Sequence, residues 1–167
     1  LCYTETPWDE SFEAYNTGFE CWQLKQNTDE LGGLNGDVLN EPSGNTWFIC
    51  TPETFQNNGS QYIFGGERSA VIETSATGYN WLITGEIQLP ATGNHDLSFR
   101  LKYNHDDTHP TRFHVNMFVN NNWITLNSWI SADNNNDYQI PVHMSLDEFN
   151  GQKVRLAFVY EGVNGHI

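Results

Sequence analysis

The sequence predicts an all-β fold, an antiparallel sandwich or barrel, on three observations. Short runs of alternating apolar residues are separated by clusters of Gly, Asn, Asp, Pro and Ser, which is the rhythm of strands and turns. The apolar content is 38% and the aromatic share 14%, with six Trp, seven Tyr and ten Phe, so hydrophobicity is carried by flat side chains that favour strands. Helical periodicity is almost absent.

Taken in order, the first seventy residues read as long loops, with Gly32, Gly33, Gly36, Gly44, Gly59, Gly65 and Gly66 scattered among polar stretches. Strands are expected at residues 69–75, 81–89, 96–103, 112–119, 123–129, 137–141 and 153–160. Within 112–119, Phe113, Val115, Met117 and Val119 alternate with Arg112, His114, Asn116 and Phe118, so one face can meet a core and the other solvent or a ligand. Leu97, Phe99, Leu101 and Tyr103 repeat the pattern. Asn120, Asn121 and Asn122 separate two strands, and because Asn tolerates positive φ, a tight hairpin pairs 112–119 with 123–129. Ser145, followed three residues later by Glu148, makes a capping box on a short connecting turn. No repeat, linker or low-complexity segment divides the chain, which reads as one domain over residues 1–167.

Seven Lys and Arg face twenty-one Asp and Glu, a formal charge of −14 that repels phosphate backbones and anionic membranes. Nucleic acid is therefore excluded as a partner. No run of about 18 apolar residues exists to insert in a bilayer. An acidic surface serves solubility or attracts hard cations such as Ca²⁺. The start at Leu1, without a basic segment and apolar run, reads as a processed or excised chain. Cys2, Cys21 and Cys50 lack zinc-type spacing and allow one disulfide, Cys21 with Cys50 or Cys2 with Cys21, with one thiol left over.

Five fragments then stand in a telling order: Glu10-Ser-Phe-Glu13, Cys21-Trp22, Trp81-Leu-Ile-Thr84, Asp96-Leu-Ser-Phe-Arg100 and Val154-Arg-Leu-Ala-Phe-Val-Tyr-Glu161. In these the chain resembles the cleaved-adhesin and choice-of-anchor J domains of secreted Bacteroidetes proteins, relatives of the MAM-type jelly roll. The resemblance implies a two-sheet antiparallel jelly-roll sandwich, secreted or at the cell surface. It implies an adhesion or accessory module carried with other domains of a larger secreted polypeptide. Two departures stand out. Thr84-Gly85 replaces the family's Thr-Pro, and the closing Trp-Tyr-Ile-Asp-Asp-Val strand is missing after Gly165-His166-Ile167, so a domain lacking its last strand is expected.

The resemblance also implies structural calcium near Glu13, with Asp96 as companion. His105 and His109 flank two carboxylates at a spacing open to transition metals, but Pro110 disfavours a helix there and a solvated loop is the expected role. No nucleophile elbow, His-Glu-x-x-His helix, phosphate-cradling loop or papain-like cysteine site is present, so no enzyme is expected. Aromatic rings offer the binding chemistry, since Trp or Tyr can stack on a sugar face. Trp8, Trp22, Trp47, Trp123, Trp129 and Tyr138 are the candidates. Trp81, among apolar neighbours, belongs to the core. Trp47, Trp129 and Tyr138 are assigned to ligand binding. The sequence thus leads to a non-catalytic extracellular recognition module for a protein or glycan. A structural accessory domain of a larger enzyme stands second, and a glycoside hydrolase third.

Overall fold

A computed structural model of the chain describes residues 3–5, 8, 10–13, 20–27, 39–73, 78–102, 112–130 and 141–162. Within them lie β1 (Tyr3–Glu5), β2 (Gln23–Asn27), β3 (Phe48–Cys50), β4 (Ser69–Val71), β5 (Gly78–Ile83), β6 (Glu86–Gln88), β7 (Asp96–Phe99), β8 (Arg112–Val119), β9 (Asn122–Ile130), β10 (Val142–Ser145) and β11 (Lys153–Gly162). The fold is all-β, and every strand pair but β1–β6 is antiparallel.

Seven strands form the main sheet around β11, the longest of them. Its one edge is met by β8 and then β9; its other edge is met by β6 at Lys153–Val154 and by β5 from Ala157 onward. The segment expected as one strand, 81–89, is therefore two, broken at Thr84-Gly85. The break is repaired by a side chain. Leu156 N–H donates to Thr84 Oγ1 at 3.0 Å while Thr84 N–H donates to the Leu156 carbonyl at 2.9 Å, so no ladder group is orphaned in this buried spot. Beyond the break β1 pairs with β6 in parallel, and before it β2 pairs with β5.

The alternation read in β8 holds, and it creates two unequal faces. Phe113 and Val115 join Leu82, Tyr160, Trp22, Trp47 and Ile72 in one buried cluster; Met117 and Val119 join Ile87, Leu89, Leu146, Val154 and Leu156 in a second. The two-stranded ribbons β7–β10 and β3–β4 contribute Leu97, Phe99, Met144, Ile49 and Ala70 to the same layer. On the opposite face a smaller cluster centres on Trp81, 0% exposed, with Ile83, Ala157 and Val159. The Trp81 indole N–H donates to Asn27 Oδ1 at 2.7 Å, satisfying the polar edge of a ring buried for its apolar area.

The β8–β9 hairpin turns on Asn120 and Asn121, whose φ angles of 52° and 63° are those of a tight primed turn. Farther along, the β9 register slips between Val115 and Asn116, with Asn127 opposite the first and Thr125 opposite the second. The extra residue is Leu126. A bulge of this kind inverts which side chains face the core. Trp123 consequently packs on Trp81 across a 5.1 Å T-shaped contact, whereas Trp129 packs on Phe99 and Phe113 in the other layer.

Elsewhere the expectations shift by a few residues. Strand β4 ends at Val71, β7 ends at Phe99, and β10 begins after Pro141. The strand expected at 137–141 lies outside the described residues except for Pro141, and so does the His105–His109 segment. The expected connecting turn forms as a single 3-10 turn, Asp147–Phe149, but without the capping box: its N-cap is Leu146, which makes no side-chain cap bond, and Ser145 Oγ accepts from Asp147 N–H. The glycine-rich first part of the chain holds strands β1 to β3 and an unusual turn at Thr54–Asn57. Phe55, Gln56 and Asn57 there all take positive φ, a conformation costing roughly 1–2 kcal/mol per residue. Phe55 is held in it between the rings of Phe48 and Tyr62, 5.9 Å and 5.1 Å away.

Candidate functional site

Between the inner face of the main sheet and the two ribbons lies a cavity of about 770 Å³. Its floor is aromatic and aliphatic: Trp22, Trp47, Leu82, Phe113 and Phe158. Its rim is polar and reaches solvent through Asn94, Asp96, Arg68 and Arg100. This is the usual anatomy of a ligand site, an apolar concavity with a few convergent polar groups at the mouth.

Phe64 stands at that mouth and is the exposed large hydrophobic side chain among the described residues, at 50% exposure. The guanidinium carbon of Arg100 sits 3.9 Å from the centroid of its ring. Such a pair restrains both partners, because the ring quadrupole attracts the cation.

The wall beside Phe64 is built by the Glu10–Glu13 loop. Glu10 accepts from Phe12 N–H at 2.7 Å and from the Trp22 indole N–H at 3.3 Å. The first contact helps hold Phe12 at φ 63°, from where its ring lies 5.6 Å from that of Trp22. Glu13 accepts from the N–H groups of both Glu67 and Arg68, at 2.8 and 3.0 Å, and so caps the loop that carries Phe64. Gly66 beneath it takes φ 91°, a conformation that side-chain-bearing residues rarely adopt, and a Cβ there would push the Glu13 carboxylate out of place.

These contacts surround the residues singled out in the sequence. Trp47, expected at the surface beside polar segments, is 8% exposed and donates its indole N–H to the Asn80 carbonyl at 3.1 Å; it is floor, not platform. Trp129 is half-buried against Phe99 and Phe113 because the β9 bulge turns it inward. Asp96 lines the rim at the start of β7. Tyr138 lies outside the described residues. For calcium, Glu13 spends one oxygen on two backbone donors, and among the described residues no group of three or more His, Cys, Asp or Glu side chains assembles to hold a metal.

A second polar constellation, invisible in the sequence, lies on the opposite face. His114 Nε2 is 2.7 Å from Glu161 Oε2, and His114 Nδ1 is 2.7 Å from Ser128 Oγ. A carboxylate only accepts, so Nε2–H donates to Glu161, while Nδ1 and the Ser128 hydroxyl share the second hydrogen bond. Arg112 approaches the same carboxylate at 3.6 Å. The His114 hydrogen bond, foremost, holds the Glu161 carboxyl below its ordinary value against the opposing effect of burial. Serine, histidine and carboxylate thus stand in a line across three strands. Ser128 sits directly across the ladder from His114 in mid-strand, and its own N–H is taken by Asn127 Oδ1 at 2.8 Å. These polar contacts join β8, β9 and β11.

Cys21 is disulfide-bonded and Cys50 is a buried free thiol, which excludes the Cys21–Cys50 pairing. Among the described residues, no helix is long and apolar enough to cross a membrane. No family model matches the chain, no curated protein matches it, and no solved structure matches its fold.

Proposed function

We propose that this chain is an extracellular recognition module of the jelly-roll sandwich kind, without catalysis of its own, which takes its ligand in the cleft between the layers. The observation that carries this reading is Phe64, an exposed ring braced by Arg100 at the mouth of an aromatic cavity of about 770 Å³. Its ring stands beside an apolar opening where a ligand could cover it. The disulfide at Cys21 supports an oxidising compartment outside the cytoplasm. A spacer domain needs a broad apolar patch for its neighbour, and among the described residues a single ring is exposed. The resemblance to adhesin-type domains points the same way.

The test is a binding screen of the whole chain against extracellular glycans and matrix proteins, repeated with Phe64→Ala. Binding that Phe64→Ala removes at unchanged melting temperature supports the cleft; binding indifferent to that substitution places recognition elsewhere and overturns it.

A further inference from the structure

The cavity between the layers has a direction. Val154, Leu156 and Phe158 line it from one face of β11, each two residues from the next, a row of about 13 Å at the rise of an extended strand. Across from them Leu97, Phe99 and Leu101 repeat that spacing along β7 and just past its end, with the Phe99 and Phe158 rings 5.2 Å apart. The row links the two buried clusters. Phe158 packs on the one holding Trp22 and Trp47, Val154 and Leu156 belong to the other, and Leu97 packs on both. The polar edges of the two floor indoles are taken up inside the protein, Trp22 N–H by Glu10 at 3.3 Å and Trp47 N–H by the Asn80 carbonyl at 3.1 Å. What they offer a ligand is ring carbon.

Resting on the cleft reading above, we propose that this cavity holds the acyl chain of a fatty acid or lipid, laid along β11 with its polar end at the mouth beside Phe64. A sugar sunk to this depth would set its hydroxyls against carbon, and each hydroxyl stripped of water without a partner costs free energy. An aliphatic chain has no such groups and gains by leaving water. The volume of about 770 Å³ lies within the range of small-molecule sites, and the half-exposed Phe64 ring carries the apolar surface out to solvent. Because the chain and not the headgroup supplies the affinity, binding should strengthen with chain length and respond little to salt, and its heat-capacity change should be negative.

Octanoate, dodecanoate and palmitate, each beside its methyl ester and all below micelle-forming concentrations, are titrated into the full chain, with calorimetry and tryptophan fluorescence as readouts. Phosphatidylcholine vesicles form a separate arm, and lipid uptake from them without binding of the acids or esters would assign the chain to a membrane lipid. The expected result is saturable binding that tightens with chain length, and quenching of tryptophan by a brominated dodecanoate. Trp47→Phe should lose part of that quenching. Leu97→Trp sets a larger ring midway along the row and should weaken binding about tenfold or more. Ala70→Leu, a milder plug on the same cavity, serves where Leu97→Trp lowers the melting temperature. Full affinity in a folded, plugged variant places the chain elsewhere and overturns the proposal, as does the absence of saturable binding to every acid, ester and vesicle. That absence, beside a glycan or matrix protein whose binding Phe64→Ala removes, overturns the acyl ligand and leaves the cleft reading standing; with no such partner both fall.

Discussion

His114 and Glu161 meet at 2.7 Å across two neighbouring strands, each side chain less than 15% exposed, and the pair belongs to the face opposite the cleft. Because the folded state holds the Glu161 carboxyl below its ordinary value of 4.5, the unfolded chain takes up that proton first as pH falls. The contribution to stability is thus full above that value and is lost as pH drops through the folded one. Glu161→Gln is expected to cost about 1–3 kcal/mol at neutral pH and to flatten the acid side of the stability profile. Urea unfolding between about pH 3 and 7 checks this; parallel profiles for the two proteins would show that the pair contributes nothing specific.

Thr84→Val removes the hydroxyl that completes the ladder at the β5–β6 break. Leu156 N–H would then be buried without an acceptor, a loss of about 1–3 kcal/mol, and Thr84→Ser should recover most of it. Thermal melts of the two variants discriminate, since equal losses would mean that packing of the methyl group matters rather than the oxygen.

Cys50 is 0% exposed, its thiol lying 3.6 Å from the Thr51 carbonyl and 3.7 Å from that of Gly59. Burial pushes its pKa up, against the smaller lowering effect of hydrogen bonds with Thr54 and Ser69. An aromatic disulfide reagent at mildly alkaline pH should leave it untouched in the native protein and titrate it once denaturant is added. Labelling of the native protein within minutes would contradict this placement.

Trp47→Ala should cost about 3–5 kcal/mol, as expected of a large core side chain, whereas Phe64→Ala should stay within about 0.5 kcal/mol of the parent. Trp47→Phe keeps most of the apolar area and deprives only the Asn80 carbonyl of its donor. Denaturant midpoints separate the two positions, and a mild Trp47→Ala would mean that the cleft floor is not built as described.

The all-β character and the hairpin at Asn120 and Asn121 were legible in the sequence because both depend on local chemistry, side-chain alternation and tolerance of positive φ. β8 stands where that alternation put it. What could not be read was everything that one extra residue decides. Trp123 and Trp129 share parity in the sequence, and only the bulge at Leu126 sends them to opposite faces and brings Ser128 beside His114. Trp47 looked exposed because its sequence neighbours are polar, although its burial is set by Leu82 and Phe113, far along the chain. Phe64, the residue at the mouth of the cleft, had no local mark at all: its exposure follows from a loop capped by Glu13. Glu13 itself was noticed for its carboxylate, whose partners turned out to be backbone N–H donors.

The break at Thr84-Gly85 also sets an order of assembly. Because β5 and β6 diverge there, two separate pieces of the early chain, Tyr3–Glu5 and Gln23–Asn27, are needed to cover one edge. Both must find strands more than fifty residues away, the kind of non-local pairing whose entropic cost delays it until a scaffold exists. The hairpin of β8 and β9 with β11 can supply that scaffold from the later chain alone. The early segments then arrive last, as a clasp over an edge that would otherwise stay open to other chains.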